Sequence, residues 1–576
     1  MDIACNSLKS VKGSVNGLFE NREPWYIVSV TTGTVLTSVW FYQFVFNGED
    51  ITTRSKKAFF KWLRKVPVVR RKIESEIFPI RDGFLKDMEE RMRGVEAVPE
   101  LPQGGMNEAL LLEEVKKHLA LGNYNWRAGR VSGAVYCLDS GLTSLTTQVY
   151  GLASYTNPLH SDVFPGVNKM EAEVVRMTAN LFHGGPESCG TMTTGGTESI
   201  LMVCKAYRDR AVDRGVKRPE MILPTTAHPA FDKAAKYFCI RVRTIPVDPI
   251  TLKADVKAIK RAINGSTCML VASAPNYPYG TMDDCEAIAG LGLRYGVGVH
   301  IDACLGGFLI AFMAKAGYTL PPFDFRLKGV TSISADTHKY GFAPKGSSVV
   351  LYREAALRHF QYTVSTEWPG GVYGSPTVNG SRAGGVIAAC WATMRFFGMK
   401  RYIEMTESII RTARYIEENM RQVPGLFVFG SPATSVIALG SKDFDIFLLS
   451  GELHKLGWSL NPLQFPSGIH LCVTLLHTAE GVADSFIEDV RQATAEIMKD
   501  PKKPVEGKMA VYGVAQEIAD RSLVSDITKY FVDLSTIKNL LKALKMPLFR
   551  EKVKFAFRST LCKFISLVGS YRCYFF

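Results

Sequence analysis

Between about residues 110 and 500, short apolar runs alternate with amphipathic stretches. Met269-Leu270-Val271-Ala272, Val297-Gly298-Val299-His300-Ile301 and Ser347-Ser348-Val349-Val350-Leu351-Tyr352 have the length and pattern of strands buried on both faces. Residues 197–211 and 283–295 carry apolar positions at helical spacing, each after a turn or an acidic cap. This alternation predicts an α/β fold with a mainly parallel central sheet covered by helices. A helical stretch over 398–432, leading to strands near 434–438 and 469–474, predicts a smaller C-terminal α/β domain. The large domain is then expected over 111–395 and the small one over 396–534.

Upstream the pattern changes. Residues 24–46 carry no charged side chain. A helix of that length reaches about 34 Å, against a hydrocarbon core of about 30 Å. Trp25, Tyr26, Trp40 and Tyr42 suit interfacial anchoring near its two ends, whereas Thr31, Thr32 and Gly33 keep it only moderately hydrophobic. The stretch is too long for a cleaved signal peptide and lacks the basic lead and small-residue cleavage pattern of one. Residues 51–72 then hold Arg54, Lys56, Lys57, Lys61, Arg64, Lys65, Arg70, Arg71 and Lys72 with no acid. Residues 1–23 balance Lys9, Lys12 and Arg22 against Asp2, Glu20 and Glu23. The positive-inside rule therefore predicts a lumenal segment 1–23, a single transmembrane helix 24–46 and a cytosolic remainder. Its first part, 47–110, is a basic juxtamembrane segment suited to anionic headgroups.

Composition narrows the class. The 576 residues are 47% hydrophobic and 22% charged, which excludes a mostly disordered, collagen-like or coiled-coil chain. A mean hydropathy of +0.04 excludes a polytopic membrane protein. Net charge is +14, from 69 basic and 55 acidic residues. Of this, the segment 535–576 carries nine basic residues against Glu551. Apolar residues interleave there, a pattern that fits a membrane-surface helix or an unstructured tail, and its role is left open. Because the positive charge lies mostly at the two ends, no nucleic-acid partner is expected for the central domain. The 12 cysteines are scattered with no C-x-x-C pair, so neither a zinc ribbon nor a disulfide framework is expected, and no metal.

Three features lie in order along the predicted sheet. In Thr193-Thr194-Gly195-Gly196-Thr197-Glu198-Ser199, two glycines allow close backbone approach, and free N–H groups at a helix start favour a phosphate. No lysine follows as in a Walker loop. In His300-Ile301-Asp302-Ala303-Cys304, Asp302 ends an apolar run. Singly it reads as a helix cap; functionally it reads as a carboxylate that keeps a pyridine nitrogen protonated. In Ser334-Ala335-Asp336-Thr337-His338-Lys339-Tyr340-Gly341-Phe342-Ala343-Pro344-Lys345-Gly346, Lys339 alone reads as a solvated loop lysine. Desolvated, it could be neutral and form a Schiff base. Phosphate nest, ring acid and imine lysine, in this order, point to pyridoxal 5'-phosphate (PLP).

Over about 51–534 the chain resembles the sphingosine-1-phosphate lyase family, relatives of the group II PLP-dependent decarboxylases. The resemblance rests on GRVSGAVY (129–136), TNPLHSDVFP (156–165), TTGGTESI (193–200), HIDACLGGF (300–308), ADTHKYGFAPKGSS (335–348) and LQFPSGIHLCVTLLHT (463–478). The uncharged span and basic collar match as well; the tail beyond 534 does not.

The resemblance implies a type I, aminotransferase-like fold, a homodimer and residence in the endoplasmic reticulum membrane. Lys339 would hold PLP, Asp302 would pair with the pyridine nitrogen and His228 would stack on the ring. Gly196 and Thr197 would hold the phosphate, supported by His338. Lys345 would be a second functional lysine near the substrate. Asn157 and His160 would lie at the substrate mouth, and Tyr373 and Ser375 would reach the site from the partner subunit. A turn, a core histidine and a packing aromatic are the plain structural readings of Asn157, His160 and Tyr373. The implied reaction is retro-aldol cleavage of a phosphorylated sphingoid base to a long-chain aldehyde and phosphoethanolamine. Whether His160, Lys345 or a tyrosine is the base stays open. The alternatives are an amino-acid decarboxylase using the same Lys339, Asp302 and His228, and a membrane-tethered relative without catalysis.

Overall fold

The computed structural model describes residues 16–17, 19–46, 51–95, 98, 100–122, 124–505, 513, 516, 518 and 520–536. Most of the predicted lumenal segment 1–23 and nearly all of the tail 535–576 lie outside them. Two compact units divide the chain, Met1–Lys72 and Ile73–Phe576.

In the first unit a helix runs over Pro24–Phe46, the stretch expected. Proline opens it, at the position where a missing N–H leaves no bond unmade. Among the described residues, no helix is long and apolar enough to cross a membrane. The length of Pro24–Phe46 suffices, but Ser29, Thr31, Thr32, Gly33, Thr34, Thr37 and Ser38 dilute its apolarity. The expected transmembrane helix is thus corrected to an uncharged, mildly apolar one. A second helix, Ile51–Leu63, follows and carries part of the basic collar.

The second unit is built on a seven-stranded sheet. Its strands are β1 (Cys189–Thr193), β2 (Glu220–Pro224), β3 (Arg241–Ile245), β4 (Thr267–Ser273), β5 (Gly298–Asp302), β6 (Val330–Ala335) and β7 (Ser348–Tyr352). They lie in the order β1-β7-β6-β5-β4-β2-β3. The pairs from β6 to β3 are parallel, while β7 runs antiparallel to both β6 and β1. Strand β1 therefore points the same way as β6. After β7 comes a short antiparallel hairpin of β8 (Thr363–Ser365) and β9 (Tyr373–Ser375).

Helices cover both faces. Alternate residues of β4 feed different cores: Leu270 and Ala272 join the cluster around Phe308 and Ile333, whereas Met269 and Val271 join that around Tyr207 and Tyr352. This is why the strand reads as an unbroken apolar run rather than an alternating one. The helix Gly196–Asp213 supplies much of the second core through Ile200, Val203, Cys204 and Tyr207.

A helix over Gly384–Met420 leads out of this sheet and is broken at Gly398, whose φ of 60° and ψ of 177° are not helical. The expected boundary at 395/396 falls inside it, just ahead of that break. The helix ends at Met420 rather than near 432, because Pro424-Gly425 turns the chain, Gly425 at φ +85°. Beyond it, β10 (Phe427–Val428), β11 (Val436–Gly440), β12 (Asn461–Leu463) and β13 (Gly468–Cys472) form an antiparallel sheet in the order β10-β11-β13-β12. All nine described cysteines are free.

Candidate active site

The three motifs converge at the carboxyl ends of β1, β5 and β6, where open α/β sheets bind ligands. The most telling position is Gly196. A Cβ there would stand 2.8 and 2.9 Å from the two carboxylate oxygens of Asp336 and 2.9 Å from Cys304 Sγ. At Gly195 the nearest atom would be His338 Cε1, at 3.7 Å. The glycine turn, the Asp302 turn and the lysine loop therefore press on one another.

Each arm is held locally. Glu198, buried in the first turn of Gly196–Asp213, accepts from Thr194 N and Thr194 Oγ1, both at 2.7 Å, and from Val378 N at 3.0 Å. Its carboxylate fixes the turn and leaves the helix N–H groups to face a ligand. Asp302 is buried at the end of β5, its Oδ1 accepting from Cys304 N at 3.0 Å. Two residues earlier His300 bonds Ser332 and Ser334 of β6 at 2.9 and 3.1 Å. Burial holds the His300 imidazole down to about 4, against the opposing pull of Asp302, so it is neutral.

Lys339 sits in the loop after β6 with Nζ 2.9 Å from Asp336 Oδ2. Burial acts to depress this amine, but the charge and hydrogen bond of Asp336, helped by Asp302, hold it above the ordinary lysine value. The buried counter-charge thus outweighs the desolvation that would favour a neutral amine. His338 donates from Nδ1 to Ser347 O, and burial lowers its pKa. Lys345 is an exposed residue whose ammonium lies 4.7 Å above the ring of Tyr136. Partial burial of the amine, then the charge of Lys339, lowers its pKa. The Tyr136 ring meets that of Tyr340 edge-on, and Tyr340 donates to Val473 O at 2.6 Å, tying the lysine loop to the C-terminal sheet.

The other expected site residues are placed as follows. His228 follows β2 and accepts at Nδ1 from Ala230 N at 3.2 Å, which orients the ring and leaves its proton on Nε2. Thr197 is exposed in the first helical turn. Asn157 Oδ1 accepts from Leu159 N at 3.1 Å and Arg382 N at 3.2 Å, stitching the 156–165 segment to the approach of Gly384–Met420. His160 is exposed and its backbone closes the same turn. Tyr373 and Ser375 lie in β9, the second strand of the hairpin. Within the described chain, Ser375 Oγ is taken by the carbonyls of Thr377 and Asn379, both at 3.2 Å. The GRVSGAVY segment docks on the small sheet, Ser132 Oγ accepting from Cys472 N at 2.8 Å.

Sequence reasoning missed Asp336 and Glu198. The signal for Asp336 was its i,i+3 spacing to Lys339; that for Glu198 was an acid in the first turn behind a Thr-Gly-Gly loop.

These residues suit a PLP ring. Asp336 Oδ1, and Thr226 Oγ1 near His228, are buried without a hydrogen-bond partner. A half-buried lysine amine is paired with the buried Asp336 carboxylate, and the Gly195-Gly196 turn offers backbone N–H groups where a side chain at Gly196 would collide. Among the described residues no cluster of metal-ligand type occurs.

Comparison with known proteins agrees. Residues 92–438 match the pyridoxal-dependent decarboxylase conserved domain. The chain is 58% identical over 526 residues to the sphingosine-1-phosphate lyase of Drosophila melanogaster, covering 91% of this chain and 96% of that one. Against sphingosine-1-phosphate lyase 1 of Mus musculus the identity is 49%, over 91% and 92% of the two chains. The solved structure of a Burkholderia pseudomallei sphingosine-1-phosphate lyase superposes with a TM-score of 0.71 at 40% identity, covering 77% of this chain and 98% of that one. A glutamate decarboxylase from Lactobacillus brevis, at 21% identity and a TM-score of 0.61, shares the fold.

Proposed function

The chain belongs to the sphingosine-1-phosphate lyase family, and from that premise we propose how this site works. The protein is a PLP-dependent carbon–carbon lyase of sphingolipid catabolism that cleaves a phosphorylated sphingoid base to a long-chain aldehyde and phosphoethanolamine. When bound, PLP supplies the electron sink for the pair released as the Cα–Cβ bond breaks. The observation that carries this reading is the convergence of the glycine turn, the turn after Asp302 that holds Cys304, and the Lys339–Asp336 pair on one spot.

The side chains divide the work. Lys339 holds the cofactor through its amine. Asp302, buried at the strand end, would pair with the ring nitrogen, and His228, its orientation set by Ala230 N–H, would stack on the ring. Gly196 and Thr197 receive the phosphate at the helix start, where dipole and N–H groups favour an anion. Lys345 takes the proton from the substrate C3 hydroxyl: its lowered pKa brings the amine toward the range a general base needs. Asn157 and His160 line the approach.

The enzyme works as a homodimer in which Tyr373 and Ser375 serve the neighbouring subunit. The exposed apolar side chains Val364, Trp368 and Val372 around their hairpin, with Leu152 and Tyr155, support this reading. The uncharged helix Pro24–Phe46 and the acid-free basic segment 51–72 together tether the chain to the endoplasmic reticulum membrane, with the catalytic unit in the cytosol. A tethered site meets a bilayer-borne substrate at raised effective concentration. Flotation of the full-length chain with microsomes tests the tether: co-flotation is expected, and recovery only in the soluble fraction would refute it.

Incubation of the purified protein with sphingosine-1-phosphate and separately with aromatic amino acids tests the reaction. Long-chain aldehyde with phosphoethanolamine is expected. Carbon dioxide from the amino acids would overturn the assignment in favour of a decarboxylase.

A further inference from the structure

The Asp336 carboxylate is the least expected part of the site. It is almost fully buried, with a side-chain exposure of 2%, yet only Oδ2 is used, by Lys339 Nζ at 2.9 Å. Oδ1 is buried without a hydrogen-bond partner. His338 Nε2 stands 3.7 Å from Oδ2, beyond a hydrogen bond, and burial keeps that imidazole toward its neutral form. The negative charge of Asp336 is therefore not shared with an imidazolium. Glycine at 196 preserves the room: any Cβ there would strike both carboxylate oxygens. A buried carboxylate with one unfilled oxygen is costly to keep unless its charge is used.

We propose that Asp336 is a positioning residue for Lys339: its carboxylate is the seat to which the lysine ammonium returns whenever the amine is not bonded to PLP, and there it keeps the proton on Nζ. This inference rests on the PLP-lyase reading and goes beyond it. Lys339 must let go of the cofactor for substrate to bind, taking up the proton that the substrate ammonium sheds, and it returns that proton to the departing product amine when it recaptures the cofactor. An ammonium held at Asp336 is not a nucleophile, so it does not compete with the substrate amine during turnover. The other charged and titratable groups that bear on Lys339 are few. Asp302, at the end of β5, acts in the same sense as Asp336 but less strongly, and Cys304 just beyond it is a thiol kept neutral by burial. Lys345 on the same loop opposes them, and Cys472 of β13 is a neutral buried thiol.

The test is the pH dependence of PLP capture by the full-length apoprotein, read as growth of the imine band near about 420 nm. Wild type is compared with Asp336→Asn, which keeps the shape, and Asp336→Glu, which restores the charge. Each unit by which losing Asp336 lowers the amine pKa raises the free-amine fraction about tenfold. Asp336→Asn is expected to capture PLP at least about tenfold faster near neutral pH and to level off at a lower pH. Asp336→Glu should return toward wild type. Superimposable wild-type and Asp336→Asn profiles, or slower capture at every pH, would overturn the proposal. Should Asp336→Asn fail to fold, the wild-type profile decides alone. A capture rate still rising past the ordinary lysine value of about 10.4 supports the seat, and levelling below it refutes it. If wild type captures no PLP at any pH, the lyase reading falls and takes this inference with it, whereas normal capture with unshifted variants removes only the inference.

Discussion

Adding one methyl group at Gly196 should disable the site while the same change at Gly290 helps the fold. At Gly196 the new Cβ would lie 2.8 Å from Asp336 Oδ1, where ordinary contact begins at 3.4 Å. The neighbour is a buried carboxylate tied to Lys339 rather than the free end of a flexible chain, so it cannot swing aside cheaply. Restoring ordinary contact needs a shift of about 0.6 Å, taken either by this carboxylate or by the glycine turn itself. Overpacking of this kind costs about 1–3 kcal/mol. If that cost falls on the cofactor-binding state, PLP affinity drops by roughly five- to 150-fold. Gly290 lies exposed in the helix Cys285–Tyr295, and a methyl group added there would meet nothing within 4 Å, so alanine should stabilise by about 0.5–1 kcal/mol. The assay is PLP titration by the imine band, with thermal melting of both variants. Gly196→Ala binding PLP as tightly as wild type and melting at the same temperature would refute the packing reasoning.

Two further outcomes follow from the same geometry. Glu198→Ala removes three hydrogen bonds from the exposed residues Thr194 and Val378, at about 0.5–1.5 kcal/mol each, so PLP affinity and melting temperature should both fall, with Glu198→Gln partly restoring them; an unchanged PLP titration would count against the loop-fixing role. His300, His470 and His477 are each held down to about 4 by burial, so between about pH 6.5 and 4 the unfolded chain binds more protons than the folded one and acidification removes stability. Asp283, pushed up to about 6 by burial, acts in the opposite sense over about pH 4–6, but it is one group against three. Melting temperature should therefore drop as pH falls below about 6.5, and a flat profile down to pH 5 would contradict this.

Much of the fold was legible because its strands are short, fully buried apolar runs and its helices carry caps. Asp284, for example, accepts from Ala287 N at the start of a predicted helix. The antiparallel insertion of β7 was not legible, since a strand's direction is set by pairing with β1 and β6, far apart in the chain. The same applies to the GRVSGAVY segment, whose Ser132 meets Cys472 only in the folded state. At the site, residue types and their order pointed to Lys339 and Asp302. The protonated condition of Lys339 was hidden because it depends on Asp336, a neighbour that reads as an ordinary loop acid until the loop folds back under Gly196. The helix Pro24–Phe46 was legible in its bounds but less apolar than its missing charge suggested.

The central claim is that one particular amine carries PLP. Borohydride reduction of the holoenzyme, followed by proteolysis and mass spectrometry, fixes the cofactor to whichever lysine holds it. The pyridoxyl group should be found on Lys339 and be lost in Lys339→Ala; its recovery on Lys345 or on any other lysine would contradict the account.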